Sequence, residues 1–67
     1  MVTIETEQEE DGRWIAEVPD IAGALAYGDT RNEAIVHVKV LALRIMADRL
    51  EEMEVVPEMD ELFSVTA

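Results

Sequence analysis

The stretch that decides the fold is PDIAGALAYGDTRNEA, residues 19–34 of a chain of 67 residues. It contains two groups of turn-forming residues on either side of a short apolar run. Because Pro19 cannot donate a hydrogen bond to a sheet and Gly23 permits a tight reversal, PDIAG predicts a turn between two strands. The run ALAY predicts a short strand that ends at Gly28. The group GDTRNE then predicts a change from strand to helix.

Thr30 and Glu33 mark the start of this helix. A Thr followed three residues later by Glu forms a capping box, in which the hydroxyl accepts from the third helical N–H and the carboxylate reaches back to the cap. Asp29 adds negative charge beside the positive end of the helix dipole. Neither Gly nor Pro occurs from Arg31 to about Met53, so the sequence predicts one long helix there.

Two further strands precede this stretch. Residues 2–7, VTIETE, and residues 13–18, RWIAEV, alternate with the period of two that a strand with one buried face requires. The pair Asp11-Gly12 between them predicts a two-residue hairpin turn, because such turns need positive φ at both positions. Trp14 lies on the face of its strand that we expect to join the core.

The segment after the helix contains Pro57 and is expected to be a polar connector, and LFSVTA, residues 62–67, predicts a last strand. The order of elements is then βββαβ. This order predicts an α+β fold in which one long helix packs on one face of a three-to-four-stranded, mainly antiparallel sheet. We expect residues 1–67 to form a single domain.

The helix is apolar over more of its surface than one sheet can cover. Spacing at about 100° per residue places one stripe toward the sheet, made of Ala34, Ile35, Val38, Leu41, Ala42 and Ile45. A second stripe consists of Val36, Val40, Leu43, Ala47 and Leu50. We expect the second stripe to be the interface of a homo-oligomer, a dimer or a tetramer. The alternative is that the C-terminal tail folds back over it.

The charge of the chain restricts its partners. Sixteen acidic and five basic residues give a formal net charge of -11. Proteins that bind nucleic acid neutralise phosphates with Lys and Arg, so direct nucleic-acid binding is not expected. An acidic surface suits a basic partner; the alternative is that the charge only keeps a small protein in solution.

The composition also argues against several bound groups. Cysteine is absent and His37 is the only histidine, so neither a disulfide nor a structural zinc site of the usual ligands is expected. The longest apolar stretch, residues 34–47, is interrupted by His37, Lys39 and Arg44, which argues against a membrane span. The first ten residues show no targeting signal. We expect a cytoplasmic protein without metal or cofactor.

The segment EEDGRWIAEVPDIAGALAYGDTRNEAI, residues 9–35, resembles the N-terminal domain of HicB-type antitoxins. The shared pattern is an acidic DG hairpin, a turn of the form P-D-L-P-G, and a G-D-T followed by an E-A that opens the helix. Ala22 stands where the family usually has a second proline. The resemblance covers about residues 2–50.

The resemblance implies a partial RNase H-like fold that binds and blocks a toxin, HicA. That toxin is a small basic protein that cleaves mRNA, with a catalytic histidine and a fold like a double-stranded-RNA-binding domain. The charge agrees, because an acidic protein can occupy a surface built for RNA. Family members often carry a second, DNA-binding domain, and we expect none in residues 1–67.

The contacts with such a toxin are expected from acidic turns and one aromatic ring. Tyr27 stands at the end of its strand, with a partly apolar ring and a free hydroxyl. The hairpin tip is acidic and suits a basic partner; the alternative is that it is only a solvated turn. The predicted toxin-binding residues are Glu9, Glu10, Asp11, Asp20, Tyr27 and Asp29.

The alternative function is a divergent RNase H-like enzyme or metal-binding protein, or an oligomeric domain without a toxin. RNase H chemistry requires several carboxylates that converge on two Mg²⁺ ions. Glu5, Glu7 and Glu17 occupy alternating strand positions and would be neighbours across the sheet. His37 has no Ser, Cys or second His to complete a catalytic set. We therefore expect a binding module and not an enzyme.

Overall fold

The protein is an α+β fold of three strands and one long helix in the computed structural model, which describes residues 2–64 and residue 66. The elements are β1 (Glu5–Gln8), β2 (Trp14–Glu17), β3 (Leu25–Gly28) and α1 (Arg31–Glu51). The sheet has the order β1-β2-β3 and both of its strand pairs are antiparallel. The prediction of one long helix packed on an antiparallel sheet is therefore confirmed.

The register of the sheet decides which side chains meet the helix. Thr6 of β1 and Ala26 of β3 stand on either side of Ala16, which is fully buried in the core. Their neighbours along each strand point to the opposite, outer face. Burial alternates with the predicted period of two over residues 2–7 and 16–18, and Trp14 packs partly buried against the core.

The core between sheet and helix consists mainly of small and β-branched side chains. Its buried members are Ala16, Val18, Ile21, Ala24, Ala34, Val38, Ala42, Met46 and Val56. The helical members recur every four residues, so they form one stripe along α1. This stripe lies on the side that the spacing predicted to face the sheet.

Gly28 allows the start of α1 to lie directly against the end of β3. A Cβ atom at this position would collide with the backbone nitrogen of Ala34 and would lie 2.9 Å from the carbonyl carbon of Glu33. Both neighbours are backbone atoms, which cannot move aside as the end of a flexible side chain can. Gly28 therefore does more than end the strand, because its lack of a side chain is required for this close approach.

The helix begins as the capping box predicts, but only half of the box forms. The Thr30 hydroxyl oxygen accepts a hydrogen bond from the backbone N–H of Glu33 at 3.0 Å. Within the described part of the chain, no return bond joins the Glu33 carboxylate to the Thr30 N–H. Thr30 alone thus satisfies one of the N–H groups that every helix start leaves free.

The helix ends in a Schellman motif, in which two N–H groups beyond the helix bond back to its last turn. Met53 donates to the Leu50 carbonyl and Glu54 to the Arg49 carbonyl, both at 2.9 Å. Met53 takes a left-handed φ of 62°, a conformation that this motif usually gives to Gly. Among the described residues, no helix has the length and apolar content needed to span a membrane.

The turn between β1 and β2 differs from the prediction. The Glu9 N–H donates to the Arg13 carbonyl at 2.7 Å, so these two residues close a loop of three residues. Gly12 has a φ of 91°, whereas Asp11 is not in the left-handed region. This is the three-residue hairpin loop that ends in a left-handed residue. The predicted two-residue turn is wrong because Asp11 instead turns its carboxylate to the Arg13 N–H, at 3.0 Å.

The C-terminal segment also differs from the prediction. Pro57–Glu61 forms a short 3₁₀-helix where a connector was expected. Residues 62–64 and 66 are not in a strand, and the remaining two positions of the predicted last strand, 65 and 67, lie outside the described residues. The prediction of a fourth strand is thus wrong for the part of this segment that is described.

Local bonding and packing explain the difference. The Met59 N–H donates to Val56, and the N–H groups of Leu62 and Phe63 both donate to Met59. These bonds use backbone groups that pairing in a sheet would require. Val56 is buried and Met59 packs against the core, so the segment is anchored by side chains and not by strand pairing.

Candidate functional site

The β1–β2 hairpin carries an acidic surface beside an aromatic ring. A shallow, open depression of about 580 Å³ is lined by Glu7, Gln8, Glu9, Glu10, Asp11, Arg13 and Tyr27, and we call it the hairpin surface. Four of these seven residues are carboxylates and one is a cation. The surface therefore attracts positive charge.

Arg13 connects the acidic tip to the aromatic ring. Its Nε donates to Asp11 Oδ2 at 2.9 Å, and its guanidinium lies 5.2 Å from the centre of the Tyr27 ring. The backbone N–H of Arg13, and after it the side chain, lower the pKa of Asp11 below its ordinary value of 3.8. The ion pair is exposed on both sides and is screened by water, so a basic partner can displace Arg13 at little cost.

The register shows which predicted contact residues come together. Tyr27 stands opposite Ile15, and Ile15 stands opposite Glu7, so the Tyr27 ring lies on the outer face in line with β1. Tyr27 is 45% exposed. The structure thus groups Tyr27 with Glu9, Glu10 and Asp11 in one surface.

Two other predicted residues lie elsewhere. Asp29 follows Gly28, which pairs with Trp14 at the hairpin end of the sheet, so Asp29 is at the same end as the hairpin surface but outside its lining. Asp20 lies in the β2–β3 connection, at the opposite end of a four-residue strand about 13 Å long. The six predicted contact residues therefore do not form a single patch.

The outer face of the sheet carries three exposed carboxylates. Glu5 stands directly opposite Glu17, while Glu7 stands opposite Ile15. As predicted, they are neighbours across the sheet. In the described residues, however, no group of three or more His, Asp or Glu side chains is arranged to hold a metal ion.

The second stripe of α1 is exposed along its whole length. Val36, Val40, Leu43 and Leu50 are between 43% and 56% exposed, and Ala47 is exposed as well. The tail packs its Val56 and Met59 into the core and leaves this stripe uncovered. The alternative in which the tail covers the stripe does not hold for the described residues.

His37 has a structural role that the sequence did not predict. Its Nδ1 lies 2.7 Å from the carbonyl oxygen of Tyr27. Because a carbonyl oxygen only accepts hydrogen bonds, Nδ1 carries the hydrogen and donates it. The bond joins α1 to the edge of β3. Residue type indicated only that His37 has no partner for catalysis, and it could not indicate this bond because tertiary packing brings the strand edge to the helix.

A second depression of about 620 Å³ lies between the β1 side of the sheet and α1, and we call it the apolar groove. Its lining comprises Val2, Ile4, Val18, Ile21, Lys39, Ala42, Leu43, Met46, Glu58 and Leu62. The helix packs mainly on β3 and β2 and much less on β1, which leaves the groove open. No sequence pattern indicates over which strands a helix will lie, so this groove was not predicted.

Comparison with models of protein families, with curated proteins and with solved structures finds no match for this chain.

Proposed function

We propose that the protein is an antitoxin-like binding module that inhibits a small basic mRNA-cleaving toxin of the HicA type by covering the RNA-binding surface of the toxin. The observation that carries the proposal is the hairpin surface, which joins four carboxylates to an exposed Tyr27 ring. The sequence resemblance over about residues 2–50 supports this class of partner. The proposal includes the partial RNase H-like fold that the resemblance implies, together with the absence of enzymatic activity and the cytoplasmic location that we expect from the residues themselves.

Charge and shape have separate roles in this proposal. With a net charge of -11, the chain is attracted to a basic protein over a distance, which raises the rate of association. The Tyr27 ring supplies apolar contact area at a low cost in side-chain entropy, so it governs how long the complex lasts. On binding, Arg13 would leave Asp11 and the Tyr27 ring and would contact the toxin instead. This exchange is possible because the Asp11 carboxylate and the Tyr27 ring are both exposed.

The first test is the neighbouring reading frame, which should encode a small basic protein if the proposal holds, and RNA cleavage by that protein is then measured with and without this chain. We expect cleavage to stop when this chain is added at a saturating concentration. Undiminished cleavage, or Mg²⁺-dependent cleavage by this chain alone, would contradict the proposal. The second outcome would instead support the alternative of an RNase H-like metal-binding protein.

Two variants test whether the toxin contacts the hairpin surface. Changing Glu9 and Glu10 to Gln and Asp11 to Asn should slow association about tenfold at low salt, because rim charges mainly govern encounter. A matched control changes the three carboxylates of Glu51, Glu52 and Glu54, at the far end of α1, to amides. Equal slowing by both triple variants would show that only the net charge matters and not this surface.

Self-association through the second stripe of α1 is also proposed, because this apolar stripe is exposed along its length. Replacing Val40 and Leu43 with Glu should yield a monomer. Two copies of net charge -11 repel each other, so salt should strengthen the oligomer while it weakens binding to a basic toxin. A wild-type chain that is monomeric by light scattering at low and at high salt would rule out the oligomer.

A further inference from the structure

Along the outer edge of β1, four backbone groups have no hydrogen-bond partner among the residues that the structure describes. Glu9 donates its N–H to Arg13 across the hairpin, and hydrogen-bonded pairs alternate along antiparallel strands. The alternation leaves Thr6 and Gln8 with N–H and C=O groups that point away from the sheet. None of these four groups makes a hydrogen bond to another residue that the structure describes.

The other edge of the sheet is partly closed. On β3 the same alternation turns the backbone groups of Leu25 and Tyr27 outward. The Leu25 N–H donates to the Gly23 carbonyl at 3.0 Å, and the Tyr27 carbonyl accepts from His37 at 2.7 Å. These bonds use half of the outward groups and place the His37 ring against the edge. β1 is therefore the edge where another strand can pair.

The outer face of β1 selects the charge of such a strand. Glu5 and Glu7 are both exposed there, and Glu17 stands opposite Glu5. Side chains of an added strand would lie directly beside Glu5 and Glu7, where Lys or Arg is favourable. A second copy of β1, paired antiparallel about Thr6, would instead place Glu5 of each copy opposite Glu7 of the other. Like charges in that position destabilise pairing, which disfavours a second copy as the occupant.

The opposite face of the same edge is apolar beside Ile4, whereas beside Thr6 it carries Arg31, whose Nε donates to the Thr6 hydroxyl oxygen at 3.2 Å. On the helix side, Ile4, the residue directly before β1, borders the apolar groove, whose far wall includes Leu43 and Met46 of α1. Alternate side chains of an added strand point to this side. An apolar side chain beside Ile4 would enter the groove and remove apolar surface from water.

We propose that the β1 edge binds an extended segment of a partner protein in which basic and apolar side chains alternate. The segment pairs its backbone with Thr6 and Gln8, its basic side chains lie beside Glu5 and Glu7, and its apolar side chains point into the groove. This mode of recognition takes affinity from main-chain hydrogen bonds and specificity from alternate side chains. The inference goes beyond the proposed function, since it requires no toxin and holds for any partner with such a segment.

The test uses a synthetic peptide of about eight residues in which Lys and Val alternate, with both ends blocked, at about 0.3 M salt to suppress non-specific attraction. Amide hydrogen exchange is measured by NMR on the whole chain. In the free protein the Thr6 and Gln8 amides should exchange fast. The bound peptide should slow both about tenfold or more, because their N–H groups become part of a ladder. Glu5 and Glu7, already paired to β2, serve as internal references.

Three controls separate backbone pairing from charge. A peptide with N-methyl groups on its Val residues, which stand opposite Thr6 and Gln8 in the proposed pairing, keeps every charge but loses the N–H groups of the ladder, and it should bind at least about tenfold more weakly. The variant Glu5→Gln, Glu7→Gln should weaken binding of the unmodified peptide, whereas Glu52→Gln, Glu54→Gln should not. Equal binding of both peptides would overturn the proposal, as would protection of Thr6 and Gln8 in the free protein, which would mean that the edge is already paired.

Discussion

The two sides of α1 carry similar residues in opposite surroundings. Val38 is completely buried against the sheet, whereas Val40, two positions along the same helix, is 43% exposed. Ala42 and Leu43 differ in the same way, with 5% and 51% of their surfaces exposed. The comparison shows that apolar spacing predicts a helix face but does not by itself say what covers it.

The difference has an energetic consequence. Apolar surface removed from water stabilises by roughly 25 cal/mol per Å², so the sheet side of α1 contributes to folding of the single chain. The opposite side makes no such contribution and leaves its apolar area available for association. Substitutions that compare the two sides can therefore separate stability from binding.

The largest loss of stability is expected at Gly28, where β3 lies directly against the backbone of α1. Gly28→Ala forces a Cβ atom into the backbone at Ala34 and should cost about 3 kcal/mol of unfolding free energy or more, which many domains of this size cannot tolerate. Urea denaturation followed by circular dichroism measures the loss. The control is Gly12→Ala, which meets no atom within 4 Å but has a φ of 91°, and should cost only about 1–2 kcal/mol. Equal losses would show that α1 does not lie as close to β3 as described.

The next effect compares the two sides directly with one chemical change. Val38→Ala leaves a cavity in the core and should cost about 2 kcal/mol, from the lost methyl groups and the space they leave. Val40→Ala should change the unfolding free energy by less than about 0.5 kcal/mol in the monomer. Denaturation midpoints of both variants, measured at low protein concentration, test this. A large loss for Val40→Ala would mean that the second stripe is already covered in solution.

A smaller effect is expected at the start of the helix, which belongs to neither side. Thr30→Ala removes the oxygen that accepts from Glu33 and should cost about 1 kcal/mol. Thr30→Ser keeps that oxygen and should retain most of the stability, as thermal or urea denaturation would show. If Ala and Ser are equally destabilising, the hydroxyl is not the cap.

The smallest effect is expected at the hairpin tip, far from both sides of α1. The pKa of Asp11 is lowered in the folded chain, so the stabilisation it brings is present above the ordinary value of 3.8 and is lost as pH falls through the folded value. An NMR titration of the Asp11 carboxyl should show a pKa below 3.8. In Arg13→Ala the backbone donor remains, so the pKa should rise only part of the way. A wild-type pKa at or above 3.8 would contradict the hydrogen bonds described for the turn.

Local signals predicted the elements around the opening stretch because each depends on neighbouring residues. Pro19 and Gly23 mark the β2–β3 connection, and Thr30 caps α1 as its side-chain type indicates. The pair Asp11-Gly12 was a weaker guide, since a two-residue and a three-residue loop share that signal and the Asp11 carboxylate favours the second. The predicted last strand failed in its described residues for a related reason. An alternating apolar segment forms a strand only where it can pair with another strand. Here the packing of Val56 and Met59 holds the C-terminal segment against the core by side chains instead.

The features of the candidate site likewise fall into those that the sequence predicted and those that it did not. The acidic tip and Tyr27 were predicted from charge and position, and the sheet register brought them together, but it separated them from Asp20. The apolar groove and the bond from His37 to Tyr27 were not predicted, because each depends on where α1 crosses the sheet.

The sequence by itself determined the order of the three strands and α1, the start of α1, the two apolar stripes and the acidic character of the surface. These properties follow from residue type and from spacing along the chain, which need no knowledge of distant contacts. Only the tertiary structure decided that α1 lies over β3 and β2, so that Gly28 lies directly against the helix and no described residue pairs with the outer edge of β1. The physical reason is that close packing and strand pairing depend on residues far apart in the chain, and a local pattern records neither.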